Sequence, residues 1–78
     1  MKNKKNVNIL GLATMEALLK KNGAERVSED AKIILREILE DYASTICKNA
    51  IRFSFHAGRK TVREEDIKLS FKEPFIKN

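Results

Sequence analysis

Apolar residues recur at helical spacing in three stretches of this chain, and no stretch alternates as a strand would. In the first, Ile9, Leu12, Met15, Leu18 and Leu19 share one side of a helix that the pattern predicts from Ile9 to Asn22. Asn22-Gly23 stops it, because glycine takes the left-handed cap conformation cheaply. Lys20 and Lys21 sit at the negative end of its dipole. A short loop, 23–27 (GAERV), leads to Ser28, whose hydroxyl suits an N-cap, with Glu29 and Asp30 in the first turn beyond it. The helix that follows is long. Ala31, Ile34, Leu35, Ile38, Leu39, Tyr42, Ala43, Ile46, Ala50 and Phe53 keep the i, i+3, i+4 rhythm, and no glycine or proline intervenes before Gly58. At ~1.5 Å per residue such a helix is roughly 43 Å long.

A third helix is predicted from about Thr61, since Thr61 and Glu64 have the spacing of a capping box. It carries Ile67 and Phe71 on one face. Pro74 disfavours helix in the residue before it, which places the end near Glu73 and leaves Phe75-Ile76 as a short apolar tail. Residues 1–8 (MKNKKNVN) are polar, basic and without periodicity, and read as a flexible tail ahead of a single domain over 9–78. The pattern contains no internal repeat. The long helix exceeds the span of a compact monomer of this size, and two short helices cannot cover its apolar stripe. A second copy of the chain could, with the two long helices crossing near their middles.

Composition narrows the chemistry. A chain of 78 residues is one small domain, a size at which oligomerisation often supplies missing stability. The single cysteine, Cys47, rules out an intrachain disulfide and a cysteine-based zinc site, and indicates a reducing, cytoplasmic setting. It reads as a small core residue, and Tyr42 as a core aromatic with its hydroxyl at the rim. No apolar run approaches the ~20 residues that span a bilayer. The basic start is followed by Gly11, Thr14 and Glu16, which does not make a signal peptide. One histidine, one cysteine and no phosphate-cradling glycine loop leave no basis for an enzyme, a metal site or a cofactor.

The net charge of +5 favours a polyanionic partner, with nucleic acid first. Its distribution adds direction. Lys2, Lys4 and Lys5 carry three of those charges. The long helix is acid-rich between Glu29 and Asn49, whereas Gly58 to Arg63 holds three bases and no acid.

Residues 23–28 (GAERVS) and 56–61 (HAGRKT), followed by Glu65-Asp66-Ile67, resemble archaeal histones, and the resemblance runs from about Met15 to Phe71. It implies the all-α histone fold, a short, a long and a short helix in an intertwined head-to-tail homodimer. The implied function is binding and compaction of double-stranded DNA with little regard to sequence, in association with the chromosome. The first loop of one chain then lies beside the second loop of the other. Arg26 would enter the minor groove, Lys60 and Arg63 would neutralise phosphates, and Thr61 would offer its hydroxyl. Lys20 and Ser28 join the same DNA-binding set, and backbone N–H groups at helix starts add to it. An Arg59–Asp66 ion pair would brace the second loop. Phe53, Phe55, His56 and Asp66 would form the contact between dimers, with a His56–Asp66 bond, and Gly23 would let stacked layers approach. A histone paralogue is a further possible partner.

The sequence also departs from the family. Gly11 and Thr14 stand where relatives often have prolines. Glu16 and Ala17 stand where a basic residue often faces DNA, and Phe55 replaces a usually polar residue. Two other readings compete. One is a histone-fold interaction protein that heterodimerises in a transcription-type complex. The other is a basic amphipathic binder of membrane surfaces, which is disfavoured because the apolar stripe is needed for the core.

Overall fold

The computed structural model describes residues 8–77, with side chains described as far as Phe71. The expected tail, 1–8, therefore falls outside the described residues except for Asn8, as do the side chains of Phe75 and Ile76. Three helices follow one another: α1 (Leu12–Lys21), α2 (Glu29–His56) and α3 (Glu64–Lys77). No strand occurs among the described residues. The short, long, short order agrees with the sequence pattern. Two compact units divide the chain, Met1–Asp41 and Tyr42–Asn78, and α2 runs unbroken through the division.

In the first unit, α1 starts at Leu12, three residues later than the apolar spacing predicts, because Gly11 is extended (φ −88°, ψ 153°). Ile9 and Leu10 lie ahead of the helix. Their N–H groups both donate to Glu40 Oε2 on α2, each at 2.8 Å. Periodicity cannot anticipate a side chain thirty residues away taking over these backbone donors. Met15 is the buried apolar residue of α1, at 2% exposure.

Both loops open with the same helix stop. At the end of α1, Gly23 N–H donates to Lys20 O (3.0 Å) and Ala24 N–H to Leu19 O (3.1 Å). At the end of α2, Gly58 N–H donates to Phe55 O (2.8 Å) and Arg59 N–H to Ser54 O (2.9 Å). These are paired Schellman bonds, which satisfy carbonyls that the helix leaves unpaired. The motif needs a positive φ at the glycine, and Gly23 (114°) and Gly58 (76°) provide it.

The two following helices are capped by opposite halves of one device. For α2 the residue before the helix supplies the side chain: Ser28 Oγ accepts from Ala31 N–H at 3.1 Å. Ser28→Ala should cost about 1 kcal/mol, read as a lower unfolding midpoint with unchanged helix content. For α3 the side chain inside the helix reaches back, and Asp66 Oδ2 accepts from Arg63 N–H at 2.8 Å. The expected Thr61–Glu64 capping box does not form. Helix α3 begins at Glu64, so Glu64 is its first residue and not its third. At its other end α3 continues past Glu73 and through Pro74 to Lys77. Proline's fixed φ is itself helical. Its effect is to deprive the Ser70 carbonyl of an N–H donor rather than to end the helix.

The second unit buries polar small residues. Ser54 and Ser70 are inaccessible, and each returns its hydroxyl to its own helix, Ser54 to Ile51 O (2.9 Å) and Ser70 to Asp66 O (2.7 Å). Ala50 is fully buried. Much of the expected core is not. Ile34 and Ile38 are 52% and 59% exposed, Tyr42 is also exposed, and so is Cys47. Tyr42 and Cys47 are thus not core residues of this chain alone, because no element among the described residues covers them. An apolar hollow of about 450 Å3 in the second unit is lined by Ile46, Ile67, Lys68 and Phe71.

Candidate functional site

The second loop, 57–63, is held by one carboxylate. Asp66 is buried to 4% exposure at the first turn of α3. Its Oδ1 accepts from Arg59 Nη2 and its Oδ2 from Arg59 Nη1, both at 3.0 Å, and Oδ2 also takes the Arg63 N–H. Arg59 Nη1 donates in addition to Thr61 O at 2.9 Å. The planar guanidinium matches the carboxylate in two places at once, which fixes orientation as well as distance. The Arg59 guanidinium, and after it the Arg63 N–H, hold the Asp66 carboxyl below the usual carboxylate range. Asp66 in turn raises Arg59.

This brace turns the Thr61 carbonyl inward and leaves the rest of the loop to solvent. Lys60, Thr61 and Arg63 have exposed side chains. The side chains of Lys60 and Arg63 pair with no carboxylate among the described residues. Two cations and a hydroxyl therefore project from a loop whose backbone is tied down. Such an arrangement suits the sugar–phosphate backbone, since held cations release counterions without having to be ordered first.

The first loop, 22–28, belongs to the first unit. Arg26 is exposed there, and Ser28 is engaged as the cap of α2 while retaining a hydroxyl proton to donate. Gly23 has open space where a Cβ would stand. Lys20 is differently placed. Its Nζ lies 3.1 Å from Glu16 Oε2, while Glu16 Oε1 lies 3.3 Å from Lys32 Nζ. Lys32 is also 3.2 Å from Glu29. Hydrogen bonds from Lys20 and then Lys32 lower the Glu16 carboxyl. Lys32 is raised, first by Glu29. Sequence reasoning missed this network. Only the i, i+4 spacing of Glu16 and Lys20 was visible; the link from Glu16 to Lys32 depends on how α1 packs against α2.

Of the residues expected between dimers, Phe55 is 66% exposed, His56 is exposed and Phe53 is half-buried. Asp66 is committed to Arg59 and Arg63, so a His56 from another molecule would find only the remaining lone pair on Oδ1. Among the described residues no cluster of three or more His, Cys, Asp or Glu is placed to hold a metal ion, and no helix is long and apolar enough to cross a membrane.

Residues 9–71 match the family described as histone-like transcription factor (CBF/NF-Y) and archaeal histone. The chain is 52% identical over 63 residues to one of the subunits of archaeal histone HAN1 from Thermococcus zilligii, covering 81% of this chain and 94% of that one. It is 41% identical over 63 residues to probable archaeal histone 3 of Methanocaldococcus jannaschii, with the same coverage.

Proposed function

The chain belongs to the family of histone-like transcription factors and archaeal histones, a non-enzymatic, DNA-packaging kind of protein, and on that premise we propose that it binds and compacts duplex DNA as a dimer gripping the phosphate backbone. The observation that carries this reading is the braced second loop. Arg59 is spent on structure, and Lys60, Thr61 and Arg63 are held outward by it. In the dimer, Arg26 and Ser28 of one chain stand beside Lys60 and Thr61 of the other, giving a grip at each end. None of these contacts reads a base edge, so binding is nearly independent of sequence. Dimers join along DNA through the exposed Phe55–His56 end of α2 with Phe53 and Asp66, and Gly23 leaves room for close approach of layers. The protein then resides on the chromosome.

The test is duplex binding across a salt series. Affinity should fall steeply with salt, and Lys60→Ala should flatten the slope by about 2 per dimer, one phosphate contact per chain. Arg26→Ala should weaken binding without loss of helix. If neither change alters binding, the grip is misassigned.

A second reading concerns the partner. The relative at 52% identity is named as one subunit of its histone, which favours a dimer with a non-identical histone chain. The mass of the purified protein in solution, alone and mixed with a paralogue, separates a homodimer from a chain that waits for another.

A further inference from the structure

Beyond the first seven residues, basic and acidic side chains are not shared evenly along the chain. Residues 8–41 hold five basic side chains against seven acidic ones, whereas residues 42–78 hold eight against four. Within residues 8–41, two of the five cations are engaged by one carboxylate. Glu16 uses a separate oxygen for each, Oε2 for Lys20 and Oε1 for Lys32. The two lysines differ in freedom. The Lys32 side chain is 14% exposed and has Glu29 as a second partner, while that of Lys20 is 51% exposed and has Glu16.

We propose that Glu16 is an internal competitor for the phosphate backbone, holding Lys20 out of the DNA grip and so setting its strength. This rests on the DNA-binding reading above. A phosphate approaching Lys20 must displace a carboxylate already 3.1 Å away. It gains one ion pair by breaking another, and it also meets the charge of the displaced Glu16. Lys20 therefore contributes little net counterion release as the chain stands. Lys32 does not take its place, because Glu29 and partial burial keep it where it is. Removing the charge of Glu16 returns one usable cation per chain, two per dimer, and they lie on a stretch, 8–41, whose acids outnumber its bases. Glu16 is a positioning residue in this account, not a DNA contact.

The experiment compares wild type, Glu16→Gln, Glu16→Ala, Lys20→Gln, Glu16→Gln/Lys20→Gln and Arg26→Ala. Dissociation constants for one short duplex are measured at several salt concentrations, with circular dichroism confirming helix content. Both single Glu16 variants should bind about tenfold tighter near 0.1 M salt, with a salt slope steeper by about 2 per dimer. The double variant should lose the added slope. The double variant has the wild-type net charge, so the control is Lys20→Gln alone: a bare effect of net charge would make it weaken binding as much as it does in the Glu16→Gln background, and that result overturns the proposal. So does unchanged or weaker binding by both single Glu16 variants. If Arg26→Ala still weakens binding in that case, the DNA reading stands and only the role of Glu16 fails. A wild-type protein that does not bind duplex DNA overturns both.

Discussion

The unfolding midpoint should rise by about 10 °C over a hundredfold increase in chain concentration, as it does when folding and association are one event. The motive is the distribution of apolar surface. Met15 and Ala50 are the fully buried apolar residues among those described, and so small a core contributes little stability to one chain alone. Eleven large apolar side chains among the described residues are at least 40% exposed. On α2, Ile34, Ile38 and Tyr42 follow one another at four-residue intervals and form one ridge. A second copy laid on that ridge would remove it from water. The hollow lined by Ile46, Ile67, Lys68 and Phe71 offers a further apolar receptacle. A substitution sharpens the test. Ile38→Lys at a true surface position would change stability by no more than about 0.5 kcal/mol. In a dimer it buries a charge, and the midpoint should fall by more than about 10 °C. A midpoint flat with concentration, a monomeric mass by sedimentation and an innocuous Ile38→Lys would together refute the dimer.

The second large effect is expected at Asp66. Asp66→Ala removes both bonds to the Arg59 guanidinium and the acceptor for Arg63 N–H in one change. It leaves a largely covered guanidinium with only the Thr61 carbonyl, a situation that belongs to the strongly destabilising class. The midpoint should drop on the order of 10 °C. DNA affinity should fall as well, since Lys60 and Arg63 lose their fixed loop. Arg59→Ala and the double variant complete a cycle, and the double loss should be well short of the sum of the two single losses. The pH dependence gives an independent reading. The folded state holds the Asp66 carboxyl below its ordinary range, so the unfolded chain binds that proton more readily. The stabilisation is then complete above the ordinary carboxylate range and is lost as pH falls through the lower, folded value. Wild type and Asp66→Ala should differ most at neutral pH and converge in acid. Parallel curves down to the lowest accessible pH would show that the carboxylate is not the brace.

Helix α2 was legible because its limits depend on local chemistry. Ser28 caps it, Gly58 stops it, and the apolar rhythm between them has no interruption. The ends of α1 and α3 were less so, each for a specific reason. Ile9 continues the apolar rhythm, yet its N–H is drawn to Glu40. Thr61 has the spacing of a cap, yet its carbonyl is engaged by Arg59 and the cap bond comes from Asp66. At Pro74 a statistical preference did not stop the helix. The exposed cations could be chosen from two short segments, with the family resemblance assigning their roles. What could not be read was which cations are already occupied. Lys20 and Lys60 are equivalent as letters. One is paired with Glu16 a turn away on its own helix and the other is not, and the second hold on Glu16, from Lys32, arises from packing between α1 and α2.

The shared helix stop has a consequence for how freely each loop can change. In both, glycine is followed by three residues and then a valine: Ala24-Glu25-Arg26 before Val27, and Arg59-Lys60-Thr61 before Val62. The stop itself uses only backbone atoms and the glycine, so the triplet is free to vary as far as the turn is concerned. In the first loop, position 31 is alanine where the second loop has Asp66, and none of the three side chains forms an ion pair or hydrogen bond found among the described residues. That triplet can drift under selection for surface chemistry alone. In the second loop Arg59 is bound to the fold through Asp66, and only Lys60 and the side chain of Thr61 share that freedom. Mutational tolerance should therefore differ between two turns of the same geometry. The first can be retuned for a new partner, whereas the second must keep its arginine and aspartate together or lose the loop.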